Sequence, residues 1–285
     1  MEKNTTSMLK YYIVDAFTEQ PFGGNTAGVV LLDRLEFPDE GLMLRIAAEL
    51  RYSETAFVRR EDEGVWHLRY FTPRAEVELC GHATVGAVAV LHAEGLAEGA
   101  CRVRTKAGEL QVIAAPQVMM QMAPAVTVGT IEDPTALYEA IGVRNYTPGI
   151  PVQVVSTGLP DIMLPLPDVD TLQSLHPDMA AIATLTCRHN AVSFHPFAIG
   201  DGTHTAHVRD FAPAYGVPEE SATGTANAAL THYLATNGII GPGSHSFLQG
   251  EAMGHPSVVA TWLQADGSIM VGGSAAIVAE GHFRI

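Results

Sequence analysis

The stretch ELCGHATVGAVAVL, residues 78–91, sets a cysteine, a glycine and a histidine directly ahead of a run of small apolar residues. A helix made of that run has no polar face, so it must be buried on all sides. Its side chains are short enough for a curved sheet to wrap closely around it. The tip of the helix carries Cys80, Gly81 and His82, beside backbone N–H groups that have no partner within the helix. With the positive end of the helix dipole, those groups favour an anion. The design recurs at residues 220–238, ESATGTANAALTHYLATNG, where a second slim helix stops at a glycine.

An internal repeat ties the two helices together. Arg69, Phe71 and Pro73 form R-x-F-x-P ahead of Gly81, and Arg209, Phe211 and Pro213 form it again ahead of Gly224. The shared order of motif and helix, half a chain apart, points to a duplicated domain. Around them, residues 11–17, 27–33, 54–60 and 65–72 read as strands, rich in β-branched and aromatic residues. Residues 101–106, 109–115 and 118–123 continue as an antiparallel meander. Residues 39–52, 131–143 and 175–186 show helical spacing, with Asp133 and Pro134 suited to a helix start. In the second half, 151–158, 161–167, 191–199 and 204–211 read as strands. Each half then wraps a mostly antiparallel sheet around its own slim helix. The two helix tips are expected where the halves meet, a place for a small carboxylate.

The composition narrows the partners. Of 285 residues, 47% are hydrophobic and 16% charged, enough for a packed core and against disorder. A formal charge of −15 argues against a nucleic-acid backbone or an anionic membrane surface as partner. The three cysteines lack CxxC spacing, so they form neither a disulfide framework nor a zinc site. The start of the chain lacks the apolar core of a signal peptide, and no apolar run is long enough to span a bilayer. A cytoplasmic setting is expected.

Each candidate residue has a plain structural reading beside the chemical one. His82 can be a hydrogen-bonding neighbour of a helix start, yet a histidine at a buried helix tip suits acid–base work. Cys80 can be a small buried hydrophobe, although a helix N-terminus favours its thiolate. Glu54 enters a strand from a polar junction and otherwise reads as a turn glutamate. Glu220 suits the first turn of a helix by its charge, and Ser221 and Thr223 are plausible caps. His204 and His207 fall on opposite faces of a strand, so no metal site is expected there. The turn at FGGN, residues 22–25, lacks the pattern of a nucleotide-binding loop.

Four stretches together resemble the phenazine-biosynthesis-type, PhzF-like isomerase family, which shares the diaminopimelate epimerase fold. They are VDAFTEQPFGGNTAGVVL, SETAFV, RYFTPRAEVELCGHATVGA and RDFAPAYGVPEESATGTANAAL, and the closing VGGSAAIVAEGHFRI is similar too. The resemblance implies an α+β fold of two pseudo-symmetric domains, each a barrel-like, mostly antiparallel sheet around a central helix. Residues 8–126 would form the first domain, completed by returning strands at 271–285, and residues 127–270 the second. Isomerase chemistry without metal or organic cofactor is implied, commonly in a homodimer. The family's acid–base glutamate falls on Glu54 and its histidine on His82. Its aspartate falls on Glu220, in a segment reading Glu219-Glu220-Ser221-Ala222-Thr223-Gly224, a longer acid followed by serine in place of proline. Epimerase relatives use two thiols, and here their positions are Cys80 and Thr223.

The expected activity is therefore a cofactor-independent isomerisation of a small carboxylate. Glu54 takes and returns a proton at carbon, while His82 and Glu220 orient the substrate. Cys80, Gly81, Thr223, Gly224 and Thr225 surround it, the helix-end N–H groups facing its carboxylate. One alternative is a racemase or a hydroxyproline-type dehydratase that depends on the Cys80 thiolate. Another is a protein that binds a metabolite on this fold without turning it over.

Overall fold

The computed structural model describes residues 8–33, 36–200 and 202–285, so the expectation about residues 1–7 lies outside it. The chain divides into two compact units, one of residues up to Met120 with Gly273–Ile285, the other of Gln121–Gly272.

The first unit contains β1 (Met8–Ala16), β2 (Asn25–Leu32), β3 (Thr55–Asp62), β4 (Val65–Phe71), the short β5 (Glu76–Val77), β6 (Gly99–Thr105), β7 (Gly108–Ala114), β8 (Val118–Gln121) and the returning β17 (Ala275–Arg284). Its strands neighbour one another in the order β17, β1, β2, β3, β4, β6, β7, β8, with β5 also beside β4. Neighbours are antiparallel except β2 with β3 and β4 with β6. Helix α1 (Glu40–Leu50) starts where the Asp39 carboxylate accepts from the Leu42 N–H. Helix α2 (Gly81–Ala93) is the slim helix, and it packs against β1, β2, β3, β7 and β17. From His82 to Leu91 every residue except Ala89 is buried, as a helix without a polar face requires.

The second unit contains β9 (Val126–Thr130), α3 (Thr135–Ala140), β10 (Gln153–Ser156), β11 (Pro160–Pro165), α4 (Val169–Gln173), α5 (Met179–Arg188), β12 (Ser193–Ile199), β13 (Ala206–Val208), α6 (Gly224–Thr236), β14 (Gly243–Gln249), β15 (Ser257–Leu263) and β16 (Ile269–Gly273). Strands β9 to β16 pair in sequence order, antiparallel except β11 with β12 and β13 with β14. That is the same succession of parallel and antiparallel neighbours as in the first unit. Helix α6 packs against β9, β10, β11 and β15. Among the described residues no pairing joins β17 to β8 or β9 to β16, so neither sheet is closed by hydrogen bonds.

The repeated motif has one structure in both units. Arg69 donates from Nε and Nη2 to the Glu76 carboxylate at 2.8 and 3.0 Å, and its guanidinium lies 5.2 Å from the Phe71 ring centre. Arg209 grips Glu219 at 2.8 Å twice and lies 4.9 Å from the Phe211 ring centre. The planar fork of arginine suits both bonds at once.

One strand is shorter than the sequence predicts. β13 begins only at Ala206, so His204 lies outside it and is not forced to the face opposite His207. The two rings instead meet edge to face, 6.0 Å between centres. His204 Nδ1 lies 3.2 Å from Ser246 Oγ, and His207 Nδ1 2.7 Å from a Glu251 oxygen. No helix among the described residues is long and apolar enough to cross a membrane.

Candidate active site

In the first unit the start of β3 meets the tip of α2. The turn after α1 passes through Arg51 in the left-handed region and delivers Ser53 and Glu54 to the sheet. The Gly28 N–H donates to the Glu54 carbonyl at 3.1 Å and fixes that backbone. A Cβ on Gly28 would lie 2.8 Å from side-chain atoms of Leu50 and Thr55, so the approach needs glycine. Cys80 occupies the N-cap position of α2 in extended conformation without a side-chain capping bond. His82 follows within the first turn.

These elements bring Glu54, Cys80 and His82 together. His82 Nε2 is 3.4 Å from a Glu54 carboxylate oxygen and 3.3 Å from Ser53 Oγ, and His82 Nδ1 is 3.3 Å from Cys80 Sγ. The His82 side chain is 5% exposed and that of Glu54 20%, so the carboxylate keeps an open side. Burial lowers the His82 pKa, and the Glu54 charge opposes that only in part. The neutral imidazole has one N–H. With it on Nε2, His82 donates towards Glu54 or Ser53, and Nδ1 accepts from the Cys80 thiol. Ligand atoms of Glu54, Cys80 and His82 lie within 4.8 Å of one another, a spacing that can hold a metal ion. Thr84 Oγ1, 2.7 Å from the buried Tyr70 hydroxyl, donates to the Cys80 carbonyl at 2.7 Å and steadies the helix start.

In the second unit Glu220, Thr223, Gly224 and Thr225 share the segment that enters α6. Thr223 holds the N-cap position but does not cap, against the sequence expectation. Its hydroxyl is drawn inward instead, donating to Asp210 Oδ2 at 3.0 Å and accepting from Gln249 Nε2 at 3.1 Å. Gln249, fully buried, also accepts from the Thr223 N–H and the Asn227 amide and donates to the Glu220 carbonyl. The Glu220 N–H donates to the Asp210 carbonyl at 3.0 Å, and Thr157 Oγ1 to the Thr225 carbonyl at 3.1 Å.

Behind Thr223 stands a buried polar cluster that the sequence does not announce. Asp161, Ser193, His195 and Asp210 are each at most 3% exposed. Ser193 Oγ lies 2.8 Å from Asp161 Oδ1 and 2.7 Å from Asp210 Oδ1, and His195 Nδ1 lies 3.0 Å from the same Asp210 oxygen. Burial and the Asp210 charge hold the Asp161 pKa well above the ordinary aspartate value. Parallel pairing of β11 and β12 sets Asp161 opposite Ser193, and the bridge between Phe194 and Phe211 brings in Asp210. A cavity of about 660 Å³ in the same unit, lined by His232, Thr236, Leu263 and Asp266 among others, contains none of the predicted site residues.

Comparison with known proteins places the chain in one family. Residues 14–281 match the family model described as phenazine biosynthesis-like protein. An uncharacterized isomerase of Deinococcus radiodurans is 38% identical, over 97% of this chain and 95% of its own length. The uncharacterized isomerase YddE of Escherichia coli K12 is 35% identical, over 87% and 88%. The crystal structure of a Bacillus anthracis phenazine biosynthesis protein of the PhzF family superposes with a TM-score of 0.85 at 27% identity, over 98% of this chain and all of that one.

Proposed function

The chain belongs to the phenazine biosynthesis-like family and is an isomerase of that type, and on this premise we propose that Glu54 moves a proton at carbon in a small carboxylate substrate without metal or organic cofactor. One observation carries the reading: the partly open Glu54 carboxylate sits 3.4 Å from a buried imidazole whose burial favours the neutral form. A neutral histidine at that place donates one hydrogen bond without neutralising the base. It aims one carboxylate oxygen and leaves the other to take a proton from the substrate. The proton then sits on Glu54 as the carboxylic acid and is returned to another carbon on the same side, so the double bond moves and nothing is gained or lost. Negative charge that develops on the substrate meets the positive end of the dipole at the start of α2.

A second reading rests on the 3.3 Å contact between Cys80 Sγ and His82 Nδ1. There the imidazole takes the thiol proton and Cys80 becomes the base of a racemase or dehydratase. Deuterium uptake from heavy water separates the two. Dihydro-hydroxyanthranilate, diaminopimelate, proline and hydroxyproline are offered to wild type, Glu54→Gln and Cys80→Ser. Uptake lost in Glu54→Gln and kept in Cys80→Ser supports the glutamate mechanism, and the reverse pattern overturns it.

A further inference from the structure

The cavity of about 660 Å³ lies wholly in the second unit, bounded by the approach to β9, the last turns of α6 and the turn from β15 to β16. Among the described residues β9 and β16 are not paired, and α6 ends here in small side chains, Ala235 and Thr236, that leave the space open. The volume falls within the range of small-molecule pockets, roughly 300–1,000 Å³. Its polar lining has little left to donate. Thr236 Oγ1 has one proton, directed at the His232 and Tyr233 carbonyls at 2.9 and 3.1 Å. Ser268 Oγ donates to Asp266 Oδ1 at 2.7 Å, and Gln121 Nε2 to the Ile269 and Met122 carbonyls at 3.1 and 3.3 Å. Each of these groups keeps only lone pairs to offer. Asp266 receives both its bonds from Ser268 on Oδ1, which leaves Oδ2. Burial lowers the His232 pKa, so that ring adds no positive charge at pH 7. The Gln264 amide and the single His232 N–H are the side-chain donors that remain, and no lysine or arginine is among the described lining residues. The rest of the lining is mainly apolar and includes Met122, Ile240, Pro242 and Leu263.

We propose that this cavity is a binding site for a small organic ammonium ion, with its hydrocarbon body on the apolar lining and its N–H groups on Asp266 and the neighbouring side-chain oxygens. An ammonium group carries up to three donors and no acceptor, the complement of a lining rich in acceptors with one negative charge. A carboxylate would meet Asp266 as a like charge and find almost no donor. The formal charge of −15 on the chain adds attraction for a cation at longer range. The site shares no residue with Glu54, Cys80 and His82, and it does not rest on the proton transfer proposed for them.

The test titrates the full chain at pH 7 with phenethylamine, cyclohexylmethylamine and hexylamine, followed by ligand-observed NMR, with phenethyl alcohol as the uncharged counterpart of the first. Phenethylamine is expected to bind at millimolar concentration or below, and more tightly than the alcohol. Asp266→Asn should weaken the amine about two- to five-fold, the scale of an exposed ion pair, and leave the alcohol unchanged. Asp266→Lys reverses the charge and should weaken the amine about ten-fold or more. Ala235→Leu fills the cavity and should remove both ligands. Glu54→Gln should change neither, so a failure of the Glu54 mechanism leaves this result standing. No binding by any of the three amines, equal affinity for phenethylamine and the alcohol, or amine binding untouched by Asp266→Lys overturns the proposal. Asp266 is exposed at a turn, so its two variants decide even if Ala235→Leu does not fold.

Discussion

Arg209 and Glu219 are joined by two parallel hydrogen bonds of 2.8 Å, with side chains only 9% and 15% exposed. Arg209 also donates to the Leu172 carbonyl at 3.4 Å, so it ties the approach to α6 to the end of α4. The equivalent Arg69 is more open, at 22%, and its partner Glu76 has Lys106 within 3.7 Å as a second cation. Loss of one partner from a buried pair costs about 3–5 kcal/mol, because the other charge is stranded. Arg209→Met is expected to approach that cost, and Arg69→Met to cost distinctly less, since Lys106 remains. Urea unfolding midpoints of the two variants measure the difference, and equal losses would contradict it.

Burial of His82 makes stability depend on pH. Its folded pKa is lowered from the ordinary value of 6.5. As pH falls below that value the unfolded chain binds the proton first, so stability is full above it and lost as pH falls towards the folded pKa. His82→Gln removes this titration. The stability gap between wild type and His82→Gln should shrink between pH 7.5 and pH 5, and a constant gap would show that His82 does not contribute.

Asp161 has the opposite sign. Its carboxyl keeps a proton that the unfolded chain releases near 3.8, so its contribution is fully present at low pH and is lost as pH rises through the raised folded value. Asp161→Asn supplies a permanent donor to Ser193 in the same space. The variant should gain stability relative to wild type as pH rises from 5 to 8. A gain of about 1 kcal/mol corresponds to roughly 2–4 °C in Tm for a chain near this size. Calorimetry at both pH values checks it.

The zinc-like donor set at Glu54, Cys80 and His82 makes a further prediction. A zinc ion there would occupy the proposed base. Added Zn²⁺ should suppress deuterium exchange, EDTA should restore it, and protein treated with EDTA from the outset should keep its full rate. Exchange that is lost with EDTA and recovered with zinc would instead make the metal a participant.

The slim helices and the duplicated motif were legible in the sequence, because each depends on local spacing, whereas Glu54 was singled out only by the family resemblance and meets His82 and Cys80 through the fold. The R-x-F-x-P motifs were read only as a sign of duplication, and the structure adds that each arginine binds a glutamate, Glu76 or Glu219, within the next ten residues. The cluster at Asp161, Ser193, His195 and Asp210 was not legible. Asp161, Ser193 and His195 are scattered polar residues in apolar strands and Asp210 lies just past β13, and only the register of β11 with β12 brings Asp161 to Ser193. Thr223 was misread for a related reason. A threonine ahead of a helix signals a cap, and nothing nearby in sequence shows that Asp210 competes for its hydroxyl.

The pairing of β17 with β1, from Met8 opposite Arg284 to Ala16 opposite Ala275, has a consequence for biosynthesis. On the ribosome, the strand that covers one edge of the first unit is made only after the whole of the second unit. The second unit has all its strands in sequence order and can finish during translation, whereas the first must wait, with β1 open along one side and a ready target for strand capture. The half that carries Glu54, Cys80 and His82 is thus completed only after the whole of the second unit has been made.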